Sequence, residues 1–173
     1  MPYPDTTVES RQRIRSDFHM MKTIRISAAL LLRSNGDTLL VRKRGTAAFM
    51  QPGGKIEPGE TPEQALSREL SEEIGVTATA AELEFLGQFQ APAANEPDHL
   101  VVAEVFLVHA KDADIKATAE IEEVRWISPS EAGGINMAPL TEHHILPFYR
   151  QRQSQAAGQG VRYPSCRSGR PAD

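Results

Sequence analysis

PGGKIEPGETPEQALSRELSEEIG, residues 52–75, joins a glycine-punctuated loop to one helix with both ends marked. Thr61 is a good N-cap, Pro62 suits the first helical position, and Thr61-x-x-Gln64 fits a capping box. Gly75 stands where a left-handed residue closes a helix, so the spacing predicts a helix from Pro62 to Ile74. At about 100° per residue, Leu66, Leu70 and Ile74 form one apolar stripe. Glu69, Glu72 and Glu73 form a neighbouring stripe, with only Ala65 among them. Like charges that close cost a helix about 0.2–0.5 kcal/mol per pair. Arg68 can pair with Glu72 one turn on, which leaves two carboxylates without an obvious mate. A solvated acidic face is one explanation. The other is a divalent cation, because Mg²⁺ and Mn²⁺ take oxygen ligands and turn the repulsion into attraction. Gly53-Gly54 lets backbone come close to a ligand or ion, or simply makes a turn.

The flanking segments alternate in character. KTIRISAALLLRS, residues 22–34, and TLLVRKR, residues 38–44, read as strands. Between them SNGD reads as a tight turn, with Asn35-Gly36 supplying positive φ angles. Residues 45–60 read as a loop. Past the helix, residues 82–91, 99–110 and 123–128 read as strands, and residues 140–153 as a last helix with Pro147 a kink point. Strands mixed with helices on this scale predict an α/β sandwich with a mixed sheet.

The chain has 173 residues, enough for one domain plus tails. Its formal charge of −4 gives no global basic field, so nucleic acid is not an expected partner. No apolar run is long enough to span a bilayer. Residues 1–20 have neither the apolar centre of a signal peptide nor the composition of a transit peptide, and Met20 or Met21 is an alternative start. Residues 151–173 are rich in Gly, Ser, Gln and Arg and read as a disordered tail. The single cysteine, Cys166, excludes an intrachain disulfide. A soluble cytoplasmic protein, monomer or homodimer, is the expectation.

Gly54, five residues, Glu60, seven residues, then Arg68-Glu69-Leu70-Ser71-Glu72-Glu73-Ile74-Gly75-Val76 resembles a complete Nudix box. The longer stretch is similar to the MutT-like branch, and the resemblance covers roughly residues 21–150. It implies a Nudix-type α/β/α sandwich and divalent-metal-dependent hydrolysis of a nucleoside diphosphate linked to another group. The first expectation is a nucleoside triphosphate cut to monophosphate and pyrophosphate. The resemblance implies that Glu72 and Glu73 bind Mg²⁺ or Mn²⁺, helped by Glu69 and the Gly53 and Gly54 backbone. It implies that Glu69 orients or deprotonates the attacking water, and that Arg68 holds Glu60 by a charge-assisted pair. Phosphoryl chemistry of this kind needs charge neutralisation and positioning more than a covalent nucleophile.

Outside the box, Glu120 precedes Trp126 by the interval of an extra metal-linked carboxylate, with Glu122 and Glu123 as competitors. By the same resemblance, Arg44 and Lys55 match basic positions that touch substrate phosphates in the MutT-like branch. Glu96, in the loop 93–99, is an alternative base. The histidines show no ligand spacing. Two departures from the MutT pattern bear on 8-oxo-dGTP specificity: residues 45–51 form a short connection, and the base-reading asparagine is replaced near Thr141, with Asn136 out of step. ADP-ribose or another nucleotide derivative is the alternative substrate. The alternative to an enzyme is a nucleotide-sensing module, although such modules typically lose box glutamates and none is missing here.

Overall fold

The computed structural model describes residues 21–158 apart from 111–114, 119 and 131; the expectations for residues 1–20 and 159–173, Cys166 included, lie outside that range. Six strands form one sheet: β1 (Lys22–Leu32), β2 (Thr38–Lys43), β3 (Gly53–Lys55), β4 (Glu84–Pro92), β5 (His99–His109) and β6 (Ile121–Ile127). The order is β4-β5-β1-β2-β6, with β3 alongside β1. The β1–β5 pair is parallel and the others are antiparallel, so the sheet is mixed.

Helix α1 (Pro62–Ile74) packs Leu66, Leu70 and Ile74 against Ala29, Leu31, Leu39 and Val41 on one sheet face. The opposite face, through Leu30 and Leu32, meets Leu140, Ile145 and Tyr149, and Leu40 meets Leu146. These belong to a π turn (Thr141–Ile145) and helix α2 (Leu146–Gly158). The result is the expected α/β/α sandwich. Strand β1 is covered on both sides, which explains its unbroken apolar run. Helix α1 has both halves of its capping box, and Gly75 closes it at φ 70°.

Four local expectations are corrected. The β1–β2 turn has positive φ only at Gly36; the Gly36 N–H donates to the Arg33 carbonyl, and the Asn35 carboxamide is engaged by Arg33 and Asp37. That is a wider turn ending in a left-handed glycine, not a two-residue hairpin. The loop 45–60 contains β3, whose Gly53 and Gly54 pair with Ala28 and Ser27 of β1. Three residues with two glycines carry no alternation to reveal a strand. The expected kink at Pro147 takes the form of the π turn just before it. There the Leu146 N–H bonds the Thr141 carbonyl, as fits a helix next to a residue without an N–H. Finally, residues 151–158, predicted as part of the tail, are helical, because α2 continues through Gly158. Its last two turns are exposed but rich in Gln, Arg and Ala, good helix formers that extend a helix already anchored by Leu146 and Tyr149.

Candidate functional site

A cavity of about 740 Å³ opens between the C-terminal half of α1, the exposed end of β1 and the β4–β5 loop. Its lining divides chemically into a charged set, Glu69, Glu72, Glu73 and Glu120 with Lys43 and Arg68, and an apolar set, Ile24, Ile26, Ala28, Pro92, Val101 and Leu140.

The acidic part of the lining is built by α1 and β3. Glu73 is only 3% exposed. Its Oε2 accepts from the Gly53 N–H at 2.9 Å, and Lys43 Nζ stands 3.0 Å from Oε1. Oε1 nevertheless has no aligned hydrogen-bond donor and is sealed from solvent. Burial pushes the Glu73 carboxyl above its ordinary range, and neither Lys43 nor the Gly53 N–H fully offsets it. For Lys43 burial works downward, but the attraction of Glu73 first, then of Glu120 and Glu69, leaves the ammonium above its ordinary value.

Arg68 organises the loop side. Its guanidinium grips Glu60 at 2.8 and 2.9 Å, reaches Glu69 at 2.7 Å and donates to the Lys55 carbonyl at 3.1 Å. Glu72 lies 3.5 Å away with its side chain 59% exposed. The bidentate Arg68 pair, followed by the Glu57 N–H, lowers the Glu60 carboxyl to about 2. The Arg68 guanidinium is raised in turn, chiefly by Glu60 and then by Glu69.

Two glycines are required here. A Cβ on Gly54 would come within 2.3 Å of the Glu69 carboxylate, so the absence of a side chain gives that carboxylate its place. Gly53 has φ +142°, and a Cβ there would come within 2.2 Å of the Ser27 carbonyl oxygen.

Among the described residues, no three metal-ligating side chains converge as they stand. Arg68 holds Glu69 and Lys43 faces Glu73, which draws the carboxylates apart. The donor set still suits a hard divalent cation. Glu73 is nearly buried with Lys43 as its counter-ion, Glu69 and Glu72 are one turn or less away, and Gly54 leaves room beside Glu69.

Most of the residues singled out from sequence come together: Gly53, Gly54, Lys55, Arg68, Glu69, Glu72, Glu73 and Glu120 all line the cavity, as does Glu96, while Glu60 joins through Arg68. Lys55 and Glu96 form an ion pair at 3.2 Å. Glu122 and Glu123 are engaged by Arg42 at 2.8 and 3.1 Å and do not line the cavity, which leaves Glu120 as the reachable carboxylate of the three. Arg44 is exposed and does not line the cavity, whereas its neighbour Lys43 does, because alternation along β2 puts Lys43 on the same face as Leu39 and Val41, the face that packs on α1. Sequence reasoning missed Lys43, Gln51 and the apolar wall. The alternation of Ile24 and Ile26 at the otherwise polar start of β1 was the available signal for that wall. Asn136 donates to the Ala47 carbonyl, and Thr141 donates to Gln51 inside the cavity wall. His143 and His144 are exposed.

The NUDIX domain model matches residues 21–151. A diphosphatase of 8-oxo-dGTP from Haemophilus influenzae is 44% identical over 75 residues, 41% of this chain and 55% of that protein. The match thus spans little more than half of that relative's length. A CTP pyrophosphohydrolase from Escherichia coli is 32% identical over 79% of this chain and 99% of its own. The crystal structure of a MutT protein from Methanosarcina mazei superimposes with a TM-score of 0.62 at 25% identity, covering 78% of this chain and 96% of that one. Among the described residues, no helix is long and apolar enough to cross a membrane.

Proposed function

The chain belongs to the Nudix family, and from that premise we propose that it is a divalent-metal-dependent pyrophosphohydrolase acting on a nucleoside diphosphate linked to another group. A nucleoside triphosphate, cut to monophosphate and pyrophosphate, is the first candidate. The observation that carries this reading is one cavity of about 740 Å³ lined by both four glutamates and an apolar wall. That volume falls within the range of small-molecule sites, and the polarity split matches a nucleotide's own. Relatives that hydrolyse 8-oxo-dGTP or CTP, by their names, support the same substrate class.

Glu72, Glu73 and Glu69 would hold Mg²⁺ or Mn²⁺, with the Gly53 and Gly54 backbone and Glu120 beside them. The bound cation supplies neutralisation of the phosphate charge and acidifies a coordinated water. The chain's own residues do the rest. Glu69, 15% exposed at its side chain, is held by Arg68 where it can take a proton from the attacking water. Arg68 fixes the loop 55–60 through Glu60 and the Lys55 carbonyl, so the loop meets the phosphates already ordered. Lys55 sits at the mouth, where a phosphate can take it from Glu96.

The test is a panel of nucleotides assayed with Mg²⁺ and with Mn²⁺, with products identified. Release of a monophosphate and pyrophosphate is expected. No turnover of any nucleotide with either cation would overturn the reading.

A further inference from the structure

The wall of the cavity holds a pair that the chemistry of hydrolysis does not use. Gln51 is 5% exposed and Thr141 is fully buried. Both line the cavity. The Thr141 hydroxyl donates to Gln51 Oε1 at 2.7 Å. This engages the carboxamide oxygen and leaves the NH₂ group as the uncommitted corner. Gln51 Nε2 is sealed from solvent and has no hydrogen-bond partner in the protein. Buried donors are almost always paired, so one without an acceptor at a cavity wall implies a partner that the protein does not supply.

Position suggests what that partner is. The Pro52 carbonyl accepts from the Ala29 N–H at 2.9 Å, which pins this segment to β1 beside Ala28 of the apolar wall. Thr141 follows Leu140 of the same wall. A neutral donor in apolar surroundings suits a neutral ring acceptor, not a phosphate, which the charged side chains already attract. We propose that Gln51, oriented by Thr141, reads the nucleotide's base by donating a hydrogen bond to a ring carbonyl oxygen, a step that rests on the pyrophosphohydrolase reading above. Guanine, hypoxanthine, cytosine, uracil and thymine carry such an oxygen; adenine does not. Thr141 is a positioning residue and Gln51 a specificity determinant.

The test compares inosine triphosphate with purine riboside triphosphate, which lacks the 6-oxo group. Turnover is followed by KM and kcat, and binding by calorimetry with the α,β-methylene analogues. The wild-type protein is expected to favour the oxo base by about tenfold or more, because the analogue leaves a buried polar group unpaired. Gln51→Met should bring that ratio close to one, with the loss in KM more than in kcat. Thr141→Val should lower the same ratio by releasing the amide. The double variant Gln51→Met/Thr141→Val removes both polar partners together and serves if either single change harms folding. Turnover without base preference, a preference for amino bases, or a ratio that survives Gln51→Met overturns the base reading and leaves the hydrolase reading standing. Neither turnover nor binding of any nucleotide overturns both.

Discussion

Adjacent glycines at the site should fail in opposite ways when given a methyl group. At Gly54 the new Cβ would lie 2.3 Å from the Glu69 carboxyl carbon and 2.3–2.5 Å from its oxygens. The end of a side chain can swing away, so Gly54→Ala should displace Glu69 and break its contact with Arg68. That contact is partly exposed, and losing it should cost stability only about 1 kcal/mol or less. Misplacing a reacting group by an ångström costs about a hundredfold in rate, so kcat should fall by roughly that factor. At Gly53 the new Cβ would lie 2.2 Å from the Ser27 carbonyl oxygen and 2.8 Å from the Ala28 Cα, both backbone atoms, at φ +142°. Backbone cannot swing aside without parting β3 from β1. An overpacking cost of about 1–3 kcal/mol adds to a conformational cost of about 1–3 kcal/mol. For a domain of this size, a loss of about 3 kcal/mol lowers Tm by roughly 6–12 °C. Calorimetric melting with steady-state turnover separates the two variants. A Gly54→Ala protein with wild-type kcat, or a Gly53→Ala protein with an unchanged Tm, would refute the close-approach argument.

Three further outcomes follow from the charges. The Glu60 carboxyl, at about 2 against an ordinary 4.5, contributes stability that is full above pH 4.5 and is lost as pH falls towards 2. Denaturation curves of wild type and Glu60→Gln should therefore converge as pH drops from 5 to 3; a constant gap contradicts the pairing. Lys43→Met removes the cation facing a nearly buried Glu73, so stability should fall by about 1–3 kcal/mol at neutral pH. Because the Glu73 carboxyl is raised, that deficit should grow as pH rises through its titration and shrink when Mg²⁺ is added; equal melting at pH 5 and pH 8 argues against it. Lys55→Ala should raise KM more than it lowers kcat, since Lys55 stands at the mouth beside Glu96; unchanged constants remove Lys55 from the substrate site.

What the sequence revealed here depended on periodicity and fixed spacing. The α1 stripe of Leu66, Leu70 and Ile74, its Thr61 cap and its Gly75 stop were all legible, because helix geometry maps directly onto residue intervals. The same arithmetic placed Glu69, Glu72 and Glu73 beside the core contact, where the cavity opens. Strand β3 escaped because Gly53 and Gly54 have no side chains to alternate, and its pairing is decided by β1. Lys43 lies on the same face of β2 as Leu39 and Val41, which alternation makes legible; its role escaped because only the packing of α1 brings Glu73 to that end of β2. Gln51 and Thr141 stand 90 positions apart, and no local pattern brings them together. Tertiary contact alone creates the pair.

Manganese binding to the acidic side chains, followed by paramagnetic relaxation with and without an α,β-methylene nucleotide, tests the central claim most directly. Wild-type protein is expected to bind the ion, and Glu72→Gln to weaken that binding about 10–100-fold. The Tm should hold, because the Glu72 side chain is 59% exposed. Binding indifferent to Glu72→Gln, or no binding even with nucleotide present, would contradict it.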